Sequence, residues 1–429
     1  MRNNDKGQAL MIVLVILLVL LPMGITIYTS IMSSTKAAVA EGQQKTSTGM
    51  AMDVVADYMR AFSNDQYDGH YDDASLGRPL TGYYSNSVSC VTYIANSSSH
   101  TLYMNIVSGT GTSQANMQHG QTVSVLIAFI SDLVLYGSMF NSDASLSASN
   151  VTYKGGMYVN GNFSESGSGV TWAGGPLVVT KTATGGGNTV DGSIYYGTAE
   201  SGFTITGGGA YNTLPSFTWP TFNTSYYASH AATTTTVDQT IVFNAAGTFT
   251  MGGVTYTIPS NGVIIYGNNA NFNISGTVKG LVTVVAYDSS NSTKGCSTAV
   301  ANGGTITVSS NLIYSGGGGV TAGSGSSFAA LASDCILFQG NGSMTASGVF
   351  FVQNTAASGY YSMEANCMDS SSSCNAESFI LSGTRSDVMY QGVTGNAWGT
   401  TTIEYDSGLR STQPPGLPEK AYVVGFNVK

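Results

Sequence analysis

The acidic stretch NDQYDGHYDD groups Asp65, Asp68, Asp72 and Asp73 more closely than carboxylates are grouped anywhere else in the chain. Calcium takes six to eight oxygen ligands, so these four residues are a candidate calcium site. The twelve-residue calcium-loop pattern is not completed, however. Counted from Asn64, Gln66 stands at the third position and Ser75 where the closing glutamate belongs. A solvated acidic turn is the competing reading and the better one.

Hydrolytic or lyase chemistry on a polysaccharide needs paired carboxylates, often with calcium. In the expected solenoid, acids such as Asp191, Glu200, Asp238, Asp288, Asp334, Glu364, Asp369, Glu377 and Asp387 are scattered, with no DD or DxD pair among them. His70, His100, His119 and His230 are isolated and far from every cysteine, so no zinc spacing exists. GNGSMTASG (Gly340 to Gly348) contains a GxSxG match but has no strand–turn–helix setting. SGGGGVTAGSGSS (Ser315 to Ser327) lacks the GK[ST] ending of a phosphate loop. The chain is therefore read as a non-enzyme without cofactors, with a solenoid hydrolase or lyase as the least favoured alternative. Of the five cysteines, Cys367 and Cys374 enclose a small polar loop and read as a local disulfide. Cys296 with Cys335 is a second candidate bridge, which leaves Cys90 odd.

What must position these residues is unusual in composition. The 429 residues carry 54 glycines and only 9% charged side chains, with a formal net charge of −9. Ordinary soluble domains are about 25% charged. Polarity comes instead from Gly, Ser, Thr and Asn, which suits an extracytoplasmic β protein. The acidic balance argues against nucleic acid. From residue 147 the text breaks into short apolar runs between Gly, Asn and Ser, such as GGMYVNGNF, GGPLVVT, GVIIYGN, NFNISG and GLVTVVAY. Runs this short bury their faces when stacked as layers of a parallel β-solenoid, with Gly and Asn at tight corners. A β-sandwich is the rival. Earlier, SVSCVTYIA, TLYMNIVSG and QTVSVLIAFISDLVLYG read as strands of a small adaptor, the last as a long buried strand or a helix. Tyrosine pairs such as Tyr195–Tyr196 and Tyr226–Tyr227 suit either an adhesive surface or half-buried caps on solenoid layers.

At the amino end, Ala9 to Met32 carries no charge and is long enough as a helix to cross a bilayer core of about 30 Å. Arg2 and Lys6 precede it, which keeps the amino end cytoplasmic. A signal peptide cleaved near Ala38 to Ala40 is the alternative. Beyond it, Met52, Val55, Met59 and Phe62 lie at helical spacing, a stripe that packs on the protein's own head or on neighbouring subunits.

The short leader ending in KG, followed by QALMIVLVILLVLLPMG and an amphipathic stem, resembles the amino end of type IV pilin-like proteins. In that class a peptidase cuts after the glycine, which implies processing at Gly7 with Gln8 as the new terminus. Ile12 stands where major pilins carry a glutamate, so the pattern resembles the PilX-type minor pilins and the GQAL start of TadE-like pseudopilins. GVIIYGNNANFNISGTVKGLVTVVAYDSSNS followed by GGTITVSSNLIYSGGG is similar to the solenoid core of PilX-like pilus-associated proteins. GGMYVNGNF, LPSFTWPTFNTSYYASHA and TIEYDSGLRSTQPPGLP resemble further blocks of that family in the same order. The resemblance implies pilus association and no reaction.

The expected organisation is therefore a leader (1–7), a transmembrane pilin-like helix (8–32), a stem helix (33–63), a β-rich adaptor (64–146), an irregular right-handed parallel β-solenoid (147–400) and a C-terminal segment (401–429). The expected function is a minor-pilin-like component of a type IV pilus or related secretion filament, in the inner membrane with its bulk extracytoplasmic. Its expected partners are the lipid bilayer, other pilins or assembly proteins, and surface glycans or proteins. The alternative is a permanently anchored envelope adhesin or scaffold.

Overall fold

The computed structural model describes residues 29–39, 41–42, 49, 52, 88–96, 101–110, 118–141, 143–147, 152–215, 223–289, 303–316, 325–339, 344–353, 363–365, 379–387, 394–396, 402–404, 406–410 and 412–428. The protein is mainly β, and its strands form one antiparallel sheet and one extended, largely parallel assembly. The described residues between 29 and 52 are helical. Among the described residues no helix is long and apolar enough to cross a membrane. The run expected to span the bilayer, 8–32, lies outside them except for 29–32.

Strands β1 (Val88–Asn96), β2 (Thr101–Thr110) and β3 (Gln118–Ser131) form an antiparallel meander. The run read as strand or helix is thus a strand, closed by a short 3-10 turn at Asp132–Val134. Alternation decides this: Val123, Val125 and Ile127 are fully buried while Leu126 between them faces outward. The fourth strand of the sheet is not local. The C-terminal strand Glu419–Val428 pairs antiparallel with β3, joining Ser131 to Glu419 and Val123 to Val428.

Most of the described strands between those two wind into layers, most with three sides, and the sides stack into three parallel columns. The first column runs through Thr233–Thr235, Val263–Asn268, Leu281–Tyr287, Ser327–Ala332, the end of Met344–Val352 and the end of Phe379–Asp387. It continues, still parallel, into Ser138–Phe140, Met157–Val159, Leu177–Val179, Ile194–Tyr196 and Ala210–Tyr211. The order in space is therefore not the order in sequence. The chain enters the stack at its middle, at Ser138, and winds to one end at Tyr211. It resumes at the opposite end at Thr233 and winds back until its last layer rests on its first. All three sides join there, through Arg385–Asp387 on Ser138–Phe140, Thr394–Asn396 on Ser145–Ser147 and Thr402–Glu404 on Thr152–Lys154.

Inward side chains form a continuous core that includes Phe163, Trp172, Phe243, Ile265, Phe272, Val284, Phe328 and Phe350. Ring contacts chain them, such as Phe243 with Phe328 at 5.6 Å and Phe163 with Trp172 at 5.8 Å. The end that starts at Thr233 is covered by an antiparallel hairpin, Thr248–Met251 with Val254–Thr257, which folds back on Gln239–Asn244 and buries Phe249 and Met251. At the other end Tyr211 and Leu214 are exposed among the described residues.

Candidate functional site

Two corners of the stack are fixed by side-chain relays between layers. At the corner before the second column, Asp143 accepts hydrogen bonds from the backbone N–H and Nδ2 of Asn162 in the next layer, at 2.8 and 3.1 Å. Asn162 Oδ1 in turn accepts from the N–H of Thr182. The other half repeats this. Asp238 accepts from the N–H and Nδ2 of Asn271 at 2.8 and 3.3 Å, and Asn271 Oδ1 accepts from Thr305 N–H. An aspartate only accepts, so it suits the first rung; an asparagine both donates and accepts, so it relays. Beside the first relay, Asn160 donates to Asn141 and accepts from Thr180 Oγ1.

Where no side chain fits, glycine stands. A Cβ on Gly175 would lie 2.3 Å from the backbone nitrogen of Gly156 in the preceding layer, and one on Gly192 2.5 Å from the carbonyl oxygen of Gly175.

The stack is seated on the antiparallel sheet by a seam along the outer face of its first column. Helix α1 (Thr224–His230) is capped by Asn223, whose side chain accepts from Tyr226 N–H. Tyr227 is buried and donates its hydroxyl to the Gly416 carbonyl at 2.7 Å, and burial pushes its phenol well above the ordinary range. Thr283, on the outward row of the column, donates to the Pro415 carbonyl. Gln413 Oε1 accepts from Ser131 N–H, tying the C-terminal segment to the end of β3.

Of the residues the sequence singled out, Gly7, Gln8, Asp65, Asp68, Asp72, Asp73, Cys296, Cys367 and Cys374 lie outside the described residues. Cys335 is disulfide-bonded. Among the described residues no group of His, Cys, Asp or Glu could hold a metal ion. The scattered acids meet at one place only among those described. Asp288 and Asp334 follow the paired Ala286 and Ala332 by two residues each, in adjacent layers. Both are buried, and Ser333 Oγ accepts from Asp288 N–H while lying 3.4 Å from Asp334 Oδ1.

Sequence reasoning missed Glu165. Its side chain points into the core at 2% exposure. Oε1 accepts from Gly167 N–H at 2.6 Å, and Oε2 is buried without a hydrogen-bond partner. Burial raises its carboxyl from 4.5 to about 7, partly offset by the Gly167 bond. The signal that finds it is the repeat between NGNFSESG (Asn160 to Gly167) and NANFNISG (Asn269 to Gly276).

No family model matches the chain, and no curated protein matches it. Among solved structures, the crystal structure of the competence-associated pilin ComZ from Thermus thermophilus is similar at 12% identity with a TM-score of 0.32. The alignment covers 89% of this chain and 96% of that one, and the likeness is too distant to argue from.

Proposed function

We propose that the chain is a minor-pilin-like component of a type IV pilus or related filament, carrying a β-solenoid head outside the cytoplasm on an N-terminal helix. The observation that carries this reading is the helix that continues the apolar run. Ile31, Met32, Val39 and Met52 are helical and expose 58%, 41%, 54% and 42% of their surface. Large apolar side chains left uncovered by their own chain call for lipid or neighbouring helices. Polar groups in the same stretch are already satisfied. Ser33, Ser34 and Thr35 donate their hydroxyls to carbonyls three or four residues back, at 2.9, 2.8 and 2.8 Å. Such a helix packs closely in an apolar setting without stranding hydroxyls.

The solenoid reading rests on three columns of parallel pairs with glycine and Asp–Asn corners. Its insertion between β3 and the strand Glu419–Val428 supports a head carried by a single sheet. The chain both enters and leaves the stack at its middle, next to β3 and its partner strand, so a pull along the stem reaches the head through that sheet. The role is mechanical and recognitive, without catalysis.

Mass spectrometry of the mature protein from its native membrane tests the assignment. An amino terminus at Gln8 is expected. An intact Met1 would favour the permanently anchored envelope protein instead, and a terminus near Ala40 a secreted one.

A further inference from the structure

Two stretches of the stack carry the same pattern, NGNFSESG from Asn160 to Gly167 and NANFNISG from Asn269 to Gly276. They also occupy the same place. Asn162 and Asn271 bind the corner aspartates Asp143 and Asp238 in the same way, and Phe163 and Phe272 are both 1% exposed. Two residues further on the halves diverge. One has Ile274, fully buried between Ile241 and Val308 of its neighbouring layers. The other has Glu165, paired in register with Leu146 on one side and Gly185 on the other.

We propose that Glu165 is a pH-sensitive latch in this half of the stack, holding the layers from Met157 to Asp191 closed when neutral and loosening them when ionised. A neutral carboxyl fills a core position much as isoleucine does. An ionised one is left with a buried oxygen that nothing solvates. No opposite charge relieves it among the described residues. Gly167 donates to its Oε1, Leu146 and Gly185 flank it in register, and the buried amide of Asn188 bonds Val170 N–H and the Gly167 carbonyl. The charged residues of the same and adjoining layers stand elsewhere: Asp143 on its corner with Asn162, Lys154, Lys181 and Asp191 exposed, and Glu200 half-buried. None of them contributes to the upward shift, which comes from burial.

The sign follows from the direction of that shift. The folded state holds the proton to about pH 7 whereas the free carboxyl loses it near 4.5. Stability from this group is therefore complete below about 4.5 and is lost as pH rises through 7.

Hydrogen exchange of the full chain in detergent, corrected for intrinsic rates, tests the latch. Between pH 5 and pH 9, amides of Met157–Val159 and Leu177–Val179 should lose up to about 100-fold of protection. Those of Val263–Asn268 in the other half should not. Glu165→Gln and Glu165→Ile should abolish the difference. A loss shared by both halves, or one that persists in Glu165→Gln, overturns the proposal. Should both variants fail to fold, carboxyl resonances of selectively labelled glutamate in the native chain decide it. One carboxyl titrating near 7 upholds the latch, and all of them titrating near 4.5 sink it.

Discussion

Adjacent glycines at one corner do different jobs. Gly174 has φ +75° with nothing within 4 Å of a built Cβ, so alanine there meets only left-handed backbone strain, about 1–2 kcal/mol. Gly175 meets the backbone of Gly156 and Gly155 at 2.3 and 2.4 Å. Alanine there must push two layers apart. Gly175→Ala should therefore cost more than Gly174→Ala and, unlike it, raise hydrogen exchange in the facing layer as well as its own. The corner aspartates behave differently again. Asp238→Ala removes the acceptor of Asn271 N–H at an exposed site, for an expected loss of about 1 kcal/mol in denaturant unfolding. Asp238→Asn should recover part of it, since an amide oxygen can still accept. These residue types and their crowding near Asn and Gly runs were legible in the sequence. The partners were not, because each lies a whole layer away: Asp143 meets Asn162 across 19 residues, but Asp238 meets Asn271 across 33.

Helix α1 and the C-terminal segment show what a short element gains from tertiary contact. Seven residues are too few to hold a helix alone. The Asn223 cap, the buried Tyr227 and the stacking of Tyr226 on His230 at 4.1 Å hold this one. Tyr227→Phe should cost about 1 kcal/mol and leave the fold intact, since it loses one hydrogen bond and no packing. The proline-rich text after Arg410 was expected as a separate C-terminal segment, 401–429. It holds the strand that completes the antiparallel sheet. Ending the chain at Pro418 should leave the β3 edge unpaired and promote aggregation, read by light scattering, while the parallel columns keep their protection. A one-dimensional reading leaves β3 as a strand or a helix and has no means of choosing its partner nearly 300 residues downstream (Ser131 and Gln413 are 282 apart).

At the scale of the molecule, the order of layers is the main outcome. Ordinary stacked repeats contact their sequence neighbours. Here the last layer, Arg385 to Glu404, contacts the first, Ser138 to Lys154, and the chain crosses from one end to the other after Tyr211. Along the first column that crossing covers about ten inter-strand steps, roughly 48 Å. The 22 positions from Tyr211 to Thr233 (233 minus 211) still reach that far with helix α1 (Thr224–His230) counted at its helical rise and the rest extended. The two halves should therefore hold together without the covalent link. A protease site inserted after the exposed Leu214 and cut in the folded protein should give two fragments that co-elute under native conditions and separate in denaturant. Free separation after cutting would mean that the three-sided join at Ser138 to Lys154 contributes little.

The sequence by itself determined the local chemistry. Its scarcity of charge and wealth of Gly, Asn and Thr specify short strands with tight corners, and the apolar run of β3 specifies a long buried element, strand or helix. The apolar run at the amino end sets the expectation of a helix that needs covering. Tertiary structure alone decided which layer rests on which, that the C-terminal strand closes the sheet beside β3, and that Glu165 occupies a core position where its counterpart is Ile274. The reason is physical. Strand and corner propensities act within a few residues, whereas parallel pairing and burial depend on whatever segment the folded chain brings alongside, and layers of unequal length leave no fixed period to read.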